Sequence, residues 1–144
     1  MAGKLEQFQS DFALLIEAGF IAVKQLDEMG AHRIFMAAQA INPDSTAPQI
    51  GLGYIALSKL DLKVAMNIFE AVIKKEPENH LAQAFLGICL LLNKEKRPEG
   101  EELIKKIIAK TEDPTIKALG EISLEWAEKD LKKMKTPFFV PSEG

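Results

Sequence analysis

Apolar residues recur every three or four positions along much of the chain, which is the spacing of a helix with one buried face. The pattern is interrupted at Gly30, Asn42-Pro43 and Glu76-Pro77, because glycine and proline break or end helices. It predicts helices over about residues 5–26, 31–41, 46–59, 62–75, 80–93 and 115–134. The predicted fold is therefore all-α.

Several positions also repeat with a fixed offset of 34 residues. The offset relates the glycines Gly19, Gly53 and Gly87, and it relates the pairs Ala31 and Ala65, Phe35 and Phe69, and Pro43 and Pro77. Thirty-four residues is the length of one tetratricopeptide repeat (TPR), a helix-turn-helix unit that buries its apolar face against its neighbours. The chain resembles a TPR protein.

The resemblance implies three tandem TPR repeats at about 12–45, 46–79 and 80–114, a capping helix at 115–135, and a right-handed superhelix with a concave groove. All of these lie in a single domain, 1–135. The third repeat diverges, since its period slips by about one residue and Ile104 replaces the phenylalanine. The capping helix is expected to turn its apolar side inward, with the inner-face positions Ile116, Leu119, Ile122, Trp126 and Leu131.

An extended tail, 136–144, is predicted after the capping helix. Its apolar residues Phe138-Phe139-Val140 stand between Pro137 and Pro141, and two prolines this close together disfavour a helix. Such a segment either packs on its own domain or is offered to a neighbour.

The TPR resemblance assigns the concave groove to fixed positions on the first helix of each repeat. Thirteen of these fifteen positions are apolar or aromatic, and Lys24 and Ser58 are the other two. The predicted peptide-binding groove consists of Ala13, Ile16, Phe20, Val23, Ala47, Ile50, Tyr54, Leu57, Leu81, Ala84, Ile88, Leu91 and Leu92.

This apolar lining determines the kind of partner that we expect. TPR domains that clamp a C-terminal carboxylate carry Lys and Asn at the places held here by Ile16 and Phe20, and a carboxylate without a cation would be costly to desolvate. An amphipathic helix, with apolar anchors at i, i+3, i+4 and i+7, suits the groove better. The predicted partner is therefore such a helix.

Composition narrows the function further. A net charge of −3 on 144 residues does not favour nucleic-acid binding. Cys89 is the single cysteine, which excludes an intrachain disulfide and favours a reducing compartment. No apolar run approaches the ~18 residues that a membrane span needs, and the N-terminus does not read as a secretory signal. We expect a cytoplasmic protein without membrane insertion.

No catalytic pattern is found in the sequence. His32 and His80 lack neighbours with metal-ligand spacing, and Gly51 and Gly53 lie inside a helix without the Lys-Ser/Thr of a phosphate loop. The sequence predicts neither a metal site nor a cofactor. It does not indicate an enzyme.

Small acidic proteins with three TPR units, a capping helix and an apolar groove resemble the chaperones of bacterial type III secretion. About eleven residues precede the repeats, which favours the needle-subunit branch of these chaperones. The resemblance implies that the protein binds an amphipathic helix of a self-assembling needle subunit, with or without a small helical co-chaperone, and keeps that subunit monomeric before export. The alternatives are a translocator-type secretion chaperone, a generic TPR scaffold and a self-associating structural protein.

Overall fold

The computed structural model describes residues 18, 19, 22 and 27–135, with side chains up to residue 130. All of the regular structure in this part of the chain is helical, which confirms the predicted fold class. The helices are α1 (Glu28–Ile41), α2 (Ala47–Ser58), α3 (Leu62–Lys75), α4 (His80–Leu92), α5 (Arg97–Lys110) and α6 (Pro114–Lys135). The predicted tail, 136–144, and most of the first predicted helix lie outside the described residues.

The helix ends follow local chemistry. Asp27 caps α1 by accepting a hydrogen bond from the Gly30 N–H at 2.9 Å. Asp113 caps α6 by accepting one from the Thr115 N–H at 2.8 Å. Asp61 stands at the N-cap position of α3, but its side chain makes no capping hydrogen bond. Carboxylates at these ends also stabilise the positive end of the helix dipole.

Helix α2 ends in an αL turn centred on a leucine. Leu60 has a φ of 60°, which is a conformation that glycine adopts at less cost. Its N–H donates to the Leu57 carbonyl, and the Asp61 N–H donates to the Ala56 carbonyl, both at 2.9 Å. This pair of bonds is the Schellman arrangement, and it satisfies carbonyls that the helix end would leave without partners.

The described helices belong to two compact units, Met1–Ala82 and Gln83–Gly144. In the first unit, α2 packs against α1 and α3. Phe35 and Phe69 are fully buried there. A Cβ atom added at Gly53 would lie 2.6 Å from the Phe69 ring, and Gly19 and Gly51 face the Phe35 ring in the same way. Glycine is therefore needed for the close approach of these helices.

The second unit repeats this contact with a smaller side chain. Gly87 faces Ile104, and an added Cβ would lie 2.6 Å from that side chain. Ile104 thus occupies the place of the phenylalanine, as the sequence predicted. Gly100 sits even closer to backbone, since its Cβ would lie 2.8 Å from both the Gly87 carbonyl oxygen and the Leu91 nitrogen. Gly100 is therefore required by the close packing of α5 against α4.

Helix α6 packs against α5, and the predicted inner face is correct only in part, since Ile116 and Leu119 are half-buried. Ile122 and Trp126 were expected to face inward, but they are 65% and 43% exposed. The buried positions are Gly120 and Ala127, and Gly120 lies against Ile108. Small residues form this contact because they let the two helices approach closely. The prediction, guided by large apolar side chains, was therefore wrong for Ile122 and Trp126.

Candidate functional site

The second unit contains an apolar pocket between the C-terminal half of α4 and the middle of α6. We call it the Trp126 pocket. It encloses about 290 Å³. Among the described residues of its lining, Ser123 is the one with a hydroxyl, and that hydroxyl donates to the Leu119 carbonyl at 2.7 Å. The lining residues are Ile88, Leu91, Leu92, Ile122, Ser123 and Trp126.

Leu91 forms the buried base of the Trp126 pocket, and α6 forms its exposed side. Leu91 is 1% exposed and packs with Ile104 and Ala127 in the core of this unit. Ile122 and Trp126 lie one helical turn apart on α6 and remain accessible to a ligand. A large exposed aromatic beside an exposed isoleucine is the kind of surface that marks an interaction site.

Arg97 supports the Trp126 pocket from within the unit. Its Nε donates to the Leu91 carbonyl at 2.8 Å, and its guanidinium donates to Asp130 Oδ2 at 3.0 Å. The same guanidinium lies 5.6 Å from the centre of the Trp126 ring, within cation–π range. Arg97 therefore connects α4, α5 and α6 and holds the indole in place.

The arginine is buried and its partner is not. The Arg97 side chain is 5% exposed, whereas the Asp130 side chain is 33% exposed. A buried guanidinium is stable only where carboxylate and carbonyl oxygens replace its water, and both are present here. The planar guanidinium of Arg97, bonded to Leu91 on α4 and to Asp130 on α6, fixes the positions of these two helices beside the pocket.

The predicted groove residues fall into three groups in the structure. Ala13, Ile16, Phe20 and Val23 lie outside the described residues. Four others are buried by helix packing and offer little surface to a ligand: Ile50, Leu57, Ala84 and Leu91. The remaining five are half-buried: Ala47, Tyr54, Leu81, Ile88 and Leu92.

The structure brings three of the predicted residues together in the Trp126 pocket, namely Ile88, Leu91 and Leu92. In the first unit, Tyr54 packs against the core cluster of Ala31 and Phe35. The sequence analysis placed Ile122 and Trp126 on the inner face of the capping helix and so missed them as site residues. The sequence did carry a signal for an exposed apolar pair: the two residues stand four positions apart on one helix, and charged residues stand close to both.

The first unit has a pocket of a different kind. It encloses about 260 Å³ between α1, α2 and α3, on the side of α2 away from Ile50 and Tyr54. Charged or titratable residues, His32, Lys59 and Asp61, stand among its lining residues. None of the predicted groove residues that the structure describes lines it. Its apolar lining residues are Leu52, Ile55, Ala56, Val64 and Ile68.

A carboxylate organises the turn between α3 and α4 in the first unit. Glu76 Oε1 accepts hydrogen bonds from Asn79 Nδ2 at 2.9 Å and from the Thr46 hydroxyl at 2.8 Å. These two bonds lower the pKa of Glu76, the bond from Asn79 contributing most. Asn79 in turn accepts from the Ala82 N–H at 3.0 Å. Glu76 therefore links the start of α2 to the end of α3.

The remaining chemistry-bearing residues do not form a reactive site in the part of the chain that the structure describes. Cys89 is fully buried, and burial raises the pKa of its thiol to about 12, so the nucleophilic thiolate is not formed at neutral pH. Within residues 27–130, no three or more His, Cys, Asp or Glu side chains converge as metal ligands would. No described helix has both the length and the apolar character needed to cross a bilayer.

Comparison with known proteins gives one informative likeness. No protein-family model and no curated protein matches the sequence. The fold is similar to a solved structure, the Yersinia enterocolitica type III secretion translocator chaperone SycD in an alternative dimer. The match has a TM-score of 0.66 and 18% sequence identity, and it covers 88% of this chain and 96% of that chain. The chain therefore has the all-helical fold of that chaperone.

Proposed function

We propose that this protein is a secretion chaperone that binds an apolar segment of a client protein before export. The observation that carries the proposal is the likeness to SycD, which extends over nearly the whole of both chains. The Trp126 pocket supports it independently, because it offers exposed apolar surface on a helical scaffold. A non-enzymatic role agrees with both.

The translocator type of chaperone is the better-supported branch. The solved structure is named as a translocator chaperone, whereas the short segment before the repeats was the argument for a needle-subunit chaperone. The match covers 96% of the solved chain, so a difference in length between the two chains does not argue against the translocator branch. We therefore infer a translocator client with apolar segments rather than a needle subunit.

The Trp126 pocket is suited to anchor one or two side chains of such a client. Trp126 supplies a broad aromatic wall, and Ile122 and Ile88 supply aliphatic surface beside it. Burying one leucine or phenylalanine of the client contributes roughly 1.5–3 kcal/mol before association costs are subtracted. One anchor alone gives weak binding, so the client must also contact other surfaces of the chaperone.

The proposal is tested by client retention during gentle affinity purification from the native host, followed by mass spectrometry. We expect Ile122→Asp to lose a secreted client with apolar segments, because a carboxylate at the pocket side would be desolvated by the client. Ile122 is 65% exposed, so the variant should melt at the wild-type temperature.

Two further variants complete the design. Met29→Asp replaces another exposed apolar residue, on α1, and should retain the client. Val64→Asp changes the pocket of the first unit, and selective loss of the client in this variant would move the site there. Purification of a homo-oligomer alone, or of a large folded partner equally retained by all variants, would contradict the chaperone proposal.

A further inference from the structure

Residues 137–141, which we call the tail segment, follow α6 closely and have the sequence Pro-Phe-Phe-Val-Pro. We propose that the tail segment folds back along α6 and occupies the Trp126 pocket when no client is bound. Occupancy of the pocket does not depend on the proposed function. Its consequence, competition with the client, rests on that function.

Chain length permits this arrangement. Trp126 lies nine residues before Lys135, the last residue of α6, which corresponds to about 13.5 Å of helix. An extended chain advances about 3.3 Å per residue, so Phe138 reaches roughly 10 Å back from Lys135 and Val140 roughly 17 Å. The apolar part of the tail segment therefore spans the level of Trp126. Pro137 favours the change of direction, because the residue before a proline leaves the helical conformation.

The chemistry of the tail segment matches the pocket. A cavity of about 150 Å³ is sufficient to hold a benzene ring, so the 290 Å³ of the Trp126 pocket admits one phenylalanine ring together with part of a second apolar side chain. Edge-to-face contact with the indole is available to that ring. The two prolines lack N–H groups, so fewer backbone donors lose water when the segment lies on an apolar surface.

The tail of the same chain is favoured over a free peptide because it is tethered. A short linker gives an effective concentration in the millimolar range, which a separate ligand seldom reaches. The tail segment can therefore cover the exposed faces of Trp126 and Ile122 even with modest intrinsic affinity. A client must displace it, so the apparent affinity for the client is reduced by the fraction of pockets that the tail fills.

Trp126 is the single tryptophan of the chain, so its fluorescence reports on the pocket directly. In the full-length protein, the double substitution Phe138→Ser with Phe139→Ser should red-shift the emission and increase quenching by acrylamide, while helicity by circular dichroism stays unchanged. The matched control, Ser142→Ala with Glu143→Ala, alters the same tail outside the tail segment and should leave both signals at wild-type values.

An unchanged emission and quenching in the double variant would overturn the proposal. So would a wild-type signal that loses its protection on dilution, because that result assigns the occupant to a second copy of the chain. A second measurement does not rely on the double variant. Ile122→Cys combined with Val140→Cys should form an intrachain disulfide faster than Met29→Cys combined with Val140→Cys, and equal rates would contradict the docking.

The two proposals fail in different ways. If Trp126 is protected by the tail segment but no client is retained from the host, the function is wrong and the docking stands. If a client is retained but removal of the two phenylalanines changes neither fluorescence nor client affinity, the docking is wrong and the function stands. With both correct, the double serine variant binds the client more tightly than the wild type.

Discussion

The two compact units build the same helix contact from different side chains. In the first unit Gly53 faces the Phe69 ring, and in the second Gly87 faces Ile104. The second unit has a smaller apolar side chain at this place, and it adds the buried Arg97 with its bonds to the Leu91 carbonyl and Asp130. A divergent unit can therefore replace aromatic packing by a buried polar connection between helix ends.

The pockets of the two units also differ, in the polarity of their lining residues. The pocket of the first unit has His32, Lys59 and Asp61 among its lining residues, whereas the Trp126 pocket is almost entirely apolar. The arginine that connects the second unit also holds the aromatic wall of its pocket. Divergence from the repeat pattern and the candidate site thus coincide in one unit. The first unit keeps the regular pattern and offers a more polar surface.

The largest effect should come from removing the large core side chains. Phe69→Ala should lower the free energy of unfolding by about 3–5 kcal/mol, and Ile104→Ala by about 2–4 kcal/mol, because the larger ring leaves the larger cavity. Chemical denaturation followed by circular dichroism measures both. If the Ile104 variant were less stable than the Phe69 variant, the second unit would depend on its apolar contact at least as strongly as the first unit does.

A smaller but more specific effect should separate the two partners of the buried ion pair. Asp130→Ala should cost about 3 kcal/mol, because it removes the carboxylate from a buried guanidinium. Arg97→Met should cost about 1–2 kcal/mol, because it leaves the Leu91 carbonyl unbonded while Asp130 can regain water. The exposed pair of Glu125 and Lys129 is the control, and Glu125→Ala should change stability by less than about 0.5 kcal/mol.

Trp126 fluorescence adds a second signal to the same experiment. Arg97→Met should alter the emission through loss of the cation above the ring, and Glu125→Ala should not. Equal stability losses in the Asp130 and Glu125 variants would contradict the view that the second unit depends on its buried polar connection.

The first unit should show a pH dependence of stability that arises from Glu76. The folded-state pKa of Glu76 is lowered, so its contribution to stability is present above the unfolded-state pKa and is lost as the pH falls through the folded-state pKa. Glu76→Gln should lower the free energy of unfolding by less than about 1 kcal/mol at pH 7, because solvent screens the exposed carboxylate and the amide oxygen can still accept both hydrogen bonds, and by less still at acidic pH. Urea unfolding at several pH values measures this, and a constant difference between variant and wild type would contradict it.

The smallest effect should be a gain. Leu60→Gly should raise the free energy of unfolding by about 0.5–1 kcal/mol, because glycine adopts the αL conformation without the steric cost that leucine incurs. Leu60 is 67% exposed, so little packing is lost. Thermal unfolding measures the change. A destabilised glycine variant would mean that the leucine side chain makes a contact that offsets its backbone strain.

Much of the fold could be predicted from local signals. Proline after Asn42 and Glu76 ended α1 and α3 where the sequence predicted, because those effects act within a few residues. The 34-residue offset also marked Gly53 and Phe69 as repeat positions, and the structure brings these two residues into contact. That Ile104 takes the place of the phenylalanine could also be predicted, because the one-residue slip of the third repeat is visible in the sequence.

The site was less predictable, because it depends on which face of α6 is buried. A helix with Gly120 and Ala127 on one side and Ile122 and Trp126 on another offers two possible inner faces. The close approach to α5 favours the small residues, and this preference appears only when Gly120 meets Ile108 in three dimensions. The role of Arg97 was missed for a similar reason, since Asp130 lies 33 residues away in the sequence.

The most direct test of the central claim is site-specific photo-crosslinking in the native host, with a photoreactive phenylalanine analogue in place of Ile122. The proposal predicts a crosslink from position 122 to an apolar segment of a secreted client protein, and none to that client from the same analogue at Met29. Crosslinks to the client from position 29 but not from position 122 would contradict the assignment of client binding to the Trp126 pocket.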